Sequence, residues 1–202
     1  MKTSKIILAA ISILLIAGCS GKEPSSQSLD ELFATRRSVR AYESGRSISE
    51  QQVRDLLSAV QNAPSWANQQ PSKYYVAMSP EKVSALLEMI GGNKDKVKDA
   101  PVLIVSTFEK GKSGFFRGVP ANEIGDEWGA YDNGLSNAYL VLKARDMGFD
   151  TLIMGMRDSE AIRALFSIPE NEEVMAVISL GYRAENPGTP THRSLDEVVK
   201  FF

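Results

Sequence analysis

A single cysteine sets the terms on which this chain can fold. Cys19 is the only one among 202 residues, so no disulfide can close within the chain and no cysteine cluster can hold a metal. Whatever body forms must be held by apolar packing and hydrogen bonds alone. With one histidine, His192, a histidine-based metal site is equally unpromising. Hydrophobic residues at 43% and charged residues at 24% are ordinary for a globular protein, and the length suits one domain with a good core.

The position of Cys19 says more. Lys2 and Lys5 precede an apolar to weakly polar run, Ile6 to Ala17, and then come Gly18 and Cys19. A basic start, a short apolar stretch and small residues before a cut describe a secretory leader. The run is about a dozen residues, too short to span a bilayer core of roughly 30 Å. Small residues followed by cysteine resemble the lipobox of bacterial lipoproteins. That resemblance implies a leader over residues 1–18, a lipid on Cys19, and a polar tether through residue 28. The folded domain then covers residues 29–202, outside the cytoplasm and anchored to the cell envelope. Ser20, rather than an aspartate, follows Cys19, which favours the outer membrane if the cell is Gram-negative. Loss of Lys2 and Lys5 leaves 21 basic against 25 acidic residues, a balance that argues against a nucleic-acid partner.

Along the domain, strand and helix signals alternate. Ser28 and Glu31 have capping-box spacing, as do Ser49 and Gln52. After the second box, Val53, Leu56, Leu57 and Val60 share one helical face, predicting a helix over 50–62. Residues 73–78, 102–107, 151–154 and 174–182 read as strands. Helices are expected over 80–90, over 128–147 with Leu135, Ala138, Tyr139, Leu142 and Met147 as its apolar residues, and over 159–166 with Asp158 as cap. Residues 109–126 are Gly-rich and read as a loop or lid. Strands separated by helices make the fold α/β or α+β.

Three segments are more polar than a core needs. Arg36-Arg37-Ser38-Val39-Arg40 offers planar cations suited to a phosphate, or a solvated basic patch. Residues 63–72, from Ala63 and Pro64 through Ser65, Trp66 and Asn68 to Pro71 and Ser72, form a proline-stiffened loop that presents a hydroxyl and several amides. It is a binding loop or a plain connector. His192-Arg193 closes a Pro/Gly-rich arm long enough to wrap a partner subunit. No P-loop, no Gly-x-Gly-x-x-Gly fingerprint and no Gly-x-Ser-x-Gly elbow is present.

Taken in order, these segments resemble the nitroreductase family of FMN-dependent oxidoreductases. Arg-Arg-Ser-Val-Arg is similar to that family's opening motif, and Ala-Pro-Ser-x-x-Asn-x-Gln-Pro to its second. Asp132-x-Gly134, then Met147-Gly148-Phe149 before Thr151 to Gly155, are similar to the central part. Ile178 to Tyr182, with Pro190, Arg193, Leu195 and Val198 beyond, match the C-terminal pattern. The resemblance covers residues 29–202. It implies an α+β homodimer with a central, mostly antiparallel sheet, flanking helices and a C-terminal arm swapped between subunits.

The resemblance also implies FMN at the subunit interface. Arg36, Arg37, Ser38 and Arg40 would meet its phosphate, ribityl chain or pyrimidine edge, and Arg193 would join them. Pro64, Ser65 and Asn68 would approach the ring, often from the partner. Asn93 and Lys96 would stand near the pyrimidine, where a cation stabilises negative charge on reduced flavin. Met154 and Gly155 would run along the ring near its reactive nitrogen. Many members carry a glutamate where this chain has Met154. The implied activity passes two electrons to a nitroaromatic, a quinone or a similar conjugated acceptor, with no side chain as nucleophile. Trp66 and Trp128 are candidates to stack on that acceptor, or plain packing residues. A non-catalytic flavin-binding lipoprotein is the alternative. Typical members take electrons from NADH or NADPH, so NAD(P)H is one donor the resemblance implies; free nicotinamide cofactor should be scarce outside the cytoplasm, and a membrane quinol or a partner redox protein is the other.

Overall fold

The computed structural model describes residues 27–202; Cys19, the leader and most of the tether lie outside the described residues. The elements in order are α1 (Leu29–Thr35), α2 (Glu50–Val60), β1 (Ser72–Ala77), α3 (Pro80–Leu87), α4 (Lys94–Val97), β2 (Val102–Glu109), β3 (Phe115–Phe116), β4 (Val119–Pro120), α5 (Glu127–Asp146), β5 (Asp150–Met154), α6 (Ser159–Phe166), β6 (Glu172–Gly181) and α7 (Leu195–Val198). Single 3-10 turns cover Trp66–Asn68 and Gly91–Asn93.

The expected helix starts are real caps. The Glu31 amide donates to the Ser28 hydroxyl while the Glu31 carboxylate accepts the Ser28 amide. Ser49 and Gln52 repeat that exchange, and Asp158 accepts the Ala161 amide. Each cap occupies donors that a helix start leaves orphaned.

The main sheet is antiparallel, in the order β1-β2-β6-β5. Its central strand β2 is buried from Val102 to Phe108, so both faces must be covered. On one face α3 and α6 supply Leu86 and Ile162 against Leu103, Val105, Leu152 and Val177. On the other, α2 and α5 supply Leu56 and Leu140 against Ile104, Phe149, Ile178 and Leu180. This is an α+β domain with helices on both faces of an antiparallel sheet.

Two expectations need correction. Residues 109–126 are not wholly irregular: β3 and β4 pair there as a small hairpin, and the Gly111 amide closes the excursion on Asp126. In α5 the apolar residues of the sequence do not mark the buried face. Ala138 is exposed and Tyr139 is 42% exposed, while Asp132, Asn133, Ser136 and Asn137 are buried with Leu140 and Ala144. The reason lies in the sheet opposite, which presents Ser72, Ser106 and Thr107. The Ser106 hydroxyl lies 2.9 and 3.0 Å from the side-chain oxygens of Asn133 and Asn137, and Asn133 donates to the Thr107 carbonyl at 2.9 Å. Hydrogen bonds of this kind remove the penalty of burying amides, so the polar face turns in.

At the C-terminal end of β6, Tyr42 and Pro101 pack against the backbone of Gly181. A Cβ there would stand 2.6 Å from the Tyr42 ring and 3.1 Å from Pro101. Tyr42 cannot retreat, because its hydroxyl is held by Ser179 and the Val39 carbonyl. Gly181→Ala is therefore expected to destabilise the domain by about 1–3 kcal/mol, read as a lower urea midpoint at unchanged slope.

Candidate functional site

The basic segment Arg36–Arg40 is laid along the open edge of β5. Helix α1 stops at Thr35 because Arg36 is extended (φ −62°, ψ 131°). Ser38 then pairs with Thr151 as a parallel bridge, and the Val39 amide donates to the Thr151 carbonyl at 3.0 Å. Val39 is buried while Ser38 and Arg40 are exposed. In an extended chain residues two apart share a side, so Arg36, Ser38 and Arg40 line one side without any helical turn. Arg37 points elsewhere, donating to the Arg36 carbonyl at 2.8 Å and to the Thr189 hydroxyl at 2.9 Å. It clasps the C-terminal arm.

A buried ion cluster fixes this placement. The side chain of Asp150 is 2% exposed and sits at the start of β5. Arg183 approaches it through Nε at 2.7 Å and through Nη2, and Arg145 stands 3.4 Å away. The same two arginines hold Thr35, at its carbonyl and its hydroxyl, both at 3.3 Å. The hydrogen bond with Asp150 holds the Arg183 guanidinium above the usual arginine range. Asp150 thus joins β5, the exit of β6, the last turn of α5 and the end of α1.

At the other end of β5, Met154 is 2% exposed and packs in the core. Strand alternation puts its side chain on the buried face, and its amide and carbonyl turn toward Val177 of β6, so the motif position expected to run along a ligand is turned away from the open edge. The Val39–Thr151 bond shows which edge of β5 is open, and by the same alternation the polar groups of Ile153 face that edge. Gly155 is exposed, and its carbonyl accepts from Arg157 at 2.8 Å. A Cβ on Gly91 would stand 3.0 Å from the Met156 sulfur, which brings the turn Gly91–Asn93 beside this strand end. Asn93 is half-buried there, and Lys96 on α4 is exposed.

The second polar segment lies elsewhere. Ser65 accepts the Gln70 amide at 2.9 Å, and the Trp66 amide donates to Asp132 at 2.9 Å. Asp132 also accepts the Ser113 hydroxyl at 2.6 Å. This carboxylate therefore ties α5, the 109–126 excursion and the loop into one unit. Ala67, Asn68 and Gln70 all adopt positive φ (44°, 55° and 50°), a strained conformation for residues with a side chain, and one that clusters at ligand sites. Pro64 and Asn68 are exposed, and a cleft of about 370 Å³ opens between Ser65, Gln70, Tyr74 and Ser136.

This loop feeds β1, whereas Arg36–Arg40 flanks β5, and those strands are the two edges of the sheet. Three strand spacings separate them, about 14 Å. One chain therefore lays Arg36, Ser38 and Arg40 along the edge of β5 that ends at Gly155, with the turn bearing Asn93 beside that end. It does not bring Pro64, Ser65 and Asn68 to them. Arg193 stands in the exposed arm beyond Thr189. Sequence reasoning gave no role to Asp132 or Asp150; a carboxylate inside an otherwise packed helix, and one opening a buried strand, are the signals that mark them.

Residues 33–182 match the Nitroreductase family. The chain belongs to that family. It is 32% identical over 167 residues, 79% of each chain, to a Methanothermobacter thermautotrophicus protein provisionally named NADH dehydrogenase/NAD(P)H nitroreductase. In fold it is similar to a candidate nitroreductase of Exiguobacterium sibiricum solved in complex with FMN, with a TM-score of 0.79 at 20% identity, covering 87% of this chain and 98% of the other. It is also similar in fold to a gut-bacterial enone reductase of fatty acid saturation, with a TM-score of 0.76 at 16% identity over 86% and 97% of the two chains.

Removing the Asp150 carboxylate leaves two guanidiniums facing each other with nothing between them. Asp150→Ala is expected to cost about 3–5 kcal/mol, seen in urea melts. Faster hydrogen exchange at the Val39 amide should accompany it, reporting release of the basic segment from β5.

Proposed function

We propose that this chain is an FMN-dependent oxidoreductase of nitroreductase type that works as a homodimer. In this reading, each flavin site forms where the β5 edge of one protomer meets the 63–71 loop of the other. The observation that carries it is the split just described. The two polar segments sit on opposite edges of one sheet, so a second copy is needed to bring them together.

The residues present fit the cofactor. Among the described residues, Arg36, Arg37, Arg40 and Arg193 form no ion pair, whereas Arg46, Arg54, Arg145 and Arg183 do. Arg36 and Arg40, unpaired on one side of the β5 edge, suit a phosphate that carries about two negative charges. Arg36, Ser38, Arg40 and Arg193 would hold the phosphate and ribityl chain, and Arg37 would keep the arm that bears Arg193 in place. Asn93 and Lys96 would face the pyrimidine, with Lys96 favouring negative charge there. The open backbone edge at Ile153 and Gly155 would meet the ring, and Pro64, Ser65 and Asn68 would close over it from the second protomer. When bound, FMN supplies the redox chemistry, taking two electrons from a donor and giving them to a nitroaromatic, a quinone or a similar conjugated acceptor. The chain's own part is to orient, to shield from water and to set the local charge.

Apolar surface supports the second copy. Leu29, Phe33 and Tyr139 border a groove between α1 and α5, and the arm carries exposed Leu195, Val198, Phe201 and Phe202. Surface of this kind is costly for a monomer to leave in water. For location, the Cys19 context supports a lipid anchor in the cell envelope and a quinol or redox protein as donor.

The test is reconstitution of residues 20–202 with FMN. About one flavin per chain on a dimer, reoxidised by an added acceptor, is the expected result; a colourless monomer would sink the proposal. The Arg36→Ala/Arg40→Ala pair should weaken FMN about a hundredfold, yet barely affect riboflavin, which lacks the phosphate. For the anchor, cells expressing the full chain and fed an alkyne fatty acid should label it. Label that persists in Cys19→Ser would refute lipidation at that residue.

A further inference from the structure

Three aromatic rings stand in succession beside the 63–71 loop. Trp66 meets Trp128 edge to face, with centroids 5.9 Å apart at 80°, and Trp128 meets Tyr131 in the same manner at 5.6 Å and 75°. Two of the three residues are anchored. The Trp66 backbone is fixed by buried Asp132, and the Trp128 indole N–H donates to Asn122 at 3.0 Å. Gly114 lies against Trp128 at φ +82°, where a Cβ would stand 2.7 Å from the indole and 2.4 Å from the Gly125 carbonyl. Only glycine lets the excursion close on that ring.

Rings serving as core would be covered. Here both indoles are half-buried and Tyr131 is 59% exposed. Rigid aromatics left partly open form a preformed surface, so a flat ligand can stack without first ordering them. The loop that carries Trp66 also carries Ser65 and Asn68. We infer that Trp66, backed by Trp128 and Tyr131, is the acceptor-selecting wall of the site. It favours flat conjugated acceptors such as quinones and nitroarenes over non-planar ones. The inference rests on the flavin reading proposed above, since an acceptor must lie where electrons are available.

The experiment uses the FMN-reconstituted mature chain, reduced anaerobically with dithionite and mixed with menadione or with ferricyanide, which is not flat. Reoxidation is followed by flavin absorbance. Menadione binding to the oxidised protein is read separately by quenching of tryptophan fluorescence. Trp66→Ala should raise the menadione concentration at half-saturation about tenfold, lower the menadione-to-ferricyanide rate ratio by a similar factor, and weaken quenching of the remaining indole. Trp66→Phe, which keeps a ring, should recover most of each. An unchanged ratio and unchanged quenching would overturn the assignment. So would a Trp66→Ala protein that is monomeric by light scattering while the wild type is a dimer, because the ring would then be interface packing. If the wild type holds no flavin, or ferricyanide does not reoxidise it, the functional reading itself fails.

Discussion

The placement of the basic segment depends on one buried carboxylate. Asp150 stands between Arg183 and Arg145, and those arginines also hold Thr35, the last residue of α1. Four stretches distant in sequence meet at that point. Moving a carboxylate out of water is costly, and its attraction to a guanidinium offsets that cost only when the geometry is good. Such a cluster therefore adds little net stability over an apolar substitute. What it does add is register. A strand edge can be joined by a neighbouring segment in several offsets, and a slip of one residue would turn Ser38 and Arg40 inward and Val39 outward. With Thr35 held three residues before Ser38, the pairing of Ser38 with Thr151 has no freedom to slide. The cluster also carries two guanidiniums against one carboxylate, which leaves a residual positive charge beside Arg36 and Arg40. That residual field favours an anion there.

A second polar system governs the far edge of the sheet. The buried side of α5 reads Asp132, Asn133, Ser136 and Asn137, and the strands facing it answer with Ser72, Tyr74, Ser106 and Thr107. Burial pushes the Tyr74 phenol above its usual range, so it remains a donor to Asn137. A fully connected network of this kind rigidifies the elements it joins. Asp132 lies at the end of the network and passes that rigidity to the 63–71 loop through the Trp66 amide. Three residues of the loop can then be kept at positive φ, because the surroundings determine the conformation more strongly than local preference opposes it.

These two systems explain what could be read from the sequence and what could not. Capping boxes and the β-branched run of β2 are local signals, and they gave most of the elements to within a residue or two. Motif order gave the family. The inward face of α5 was illegible because apolar periodicity assumes that the core side is apolar, and here hydrogen bonds to the sheet replace apolar contact. Tyr139, one of the helix's apolar residues, is exposed for that reason. Met154 was placed by its motif at a ligand, yet the two-residue alternation of β5 sends its side chain into the core beside Val177. The segment Arg36–Arg40 carries no strand signal of its own, and only its pairing with Thr151 makes it extended. Such pairing joins residues more than a hundred positions apart, and no local window contains it.

The inverted polarity of α5 has a consequence for assembly. Because polar residues share its sheet-facing side with Leu140 and Ala144, some of its apolar residues are left facing outward, with Tyr139 and Leu142 beside Leu29 and Phe33 of α1. Burying the amides against the sheet thus creates the apolar outer surface, and that surface lies on the side of the molecule where α1 leads into Arg36–Arg40. An association that covers it would bring foreign chain up to the β5 edge. The proposed dimer follows from the same arrangement that made the helix hard to read. Hydrogen bonds that organise the inside of one chain leave an outside that calls for a second, and the two halves of the candidate flavin site lie on opposite edges of the sheet between them.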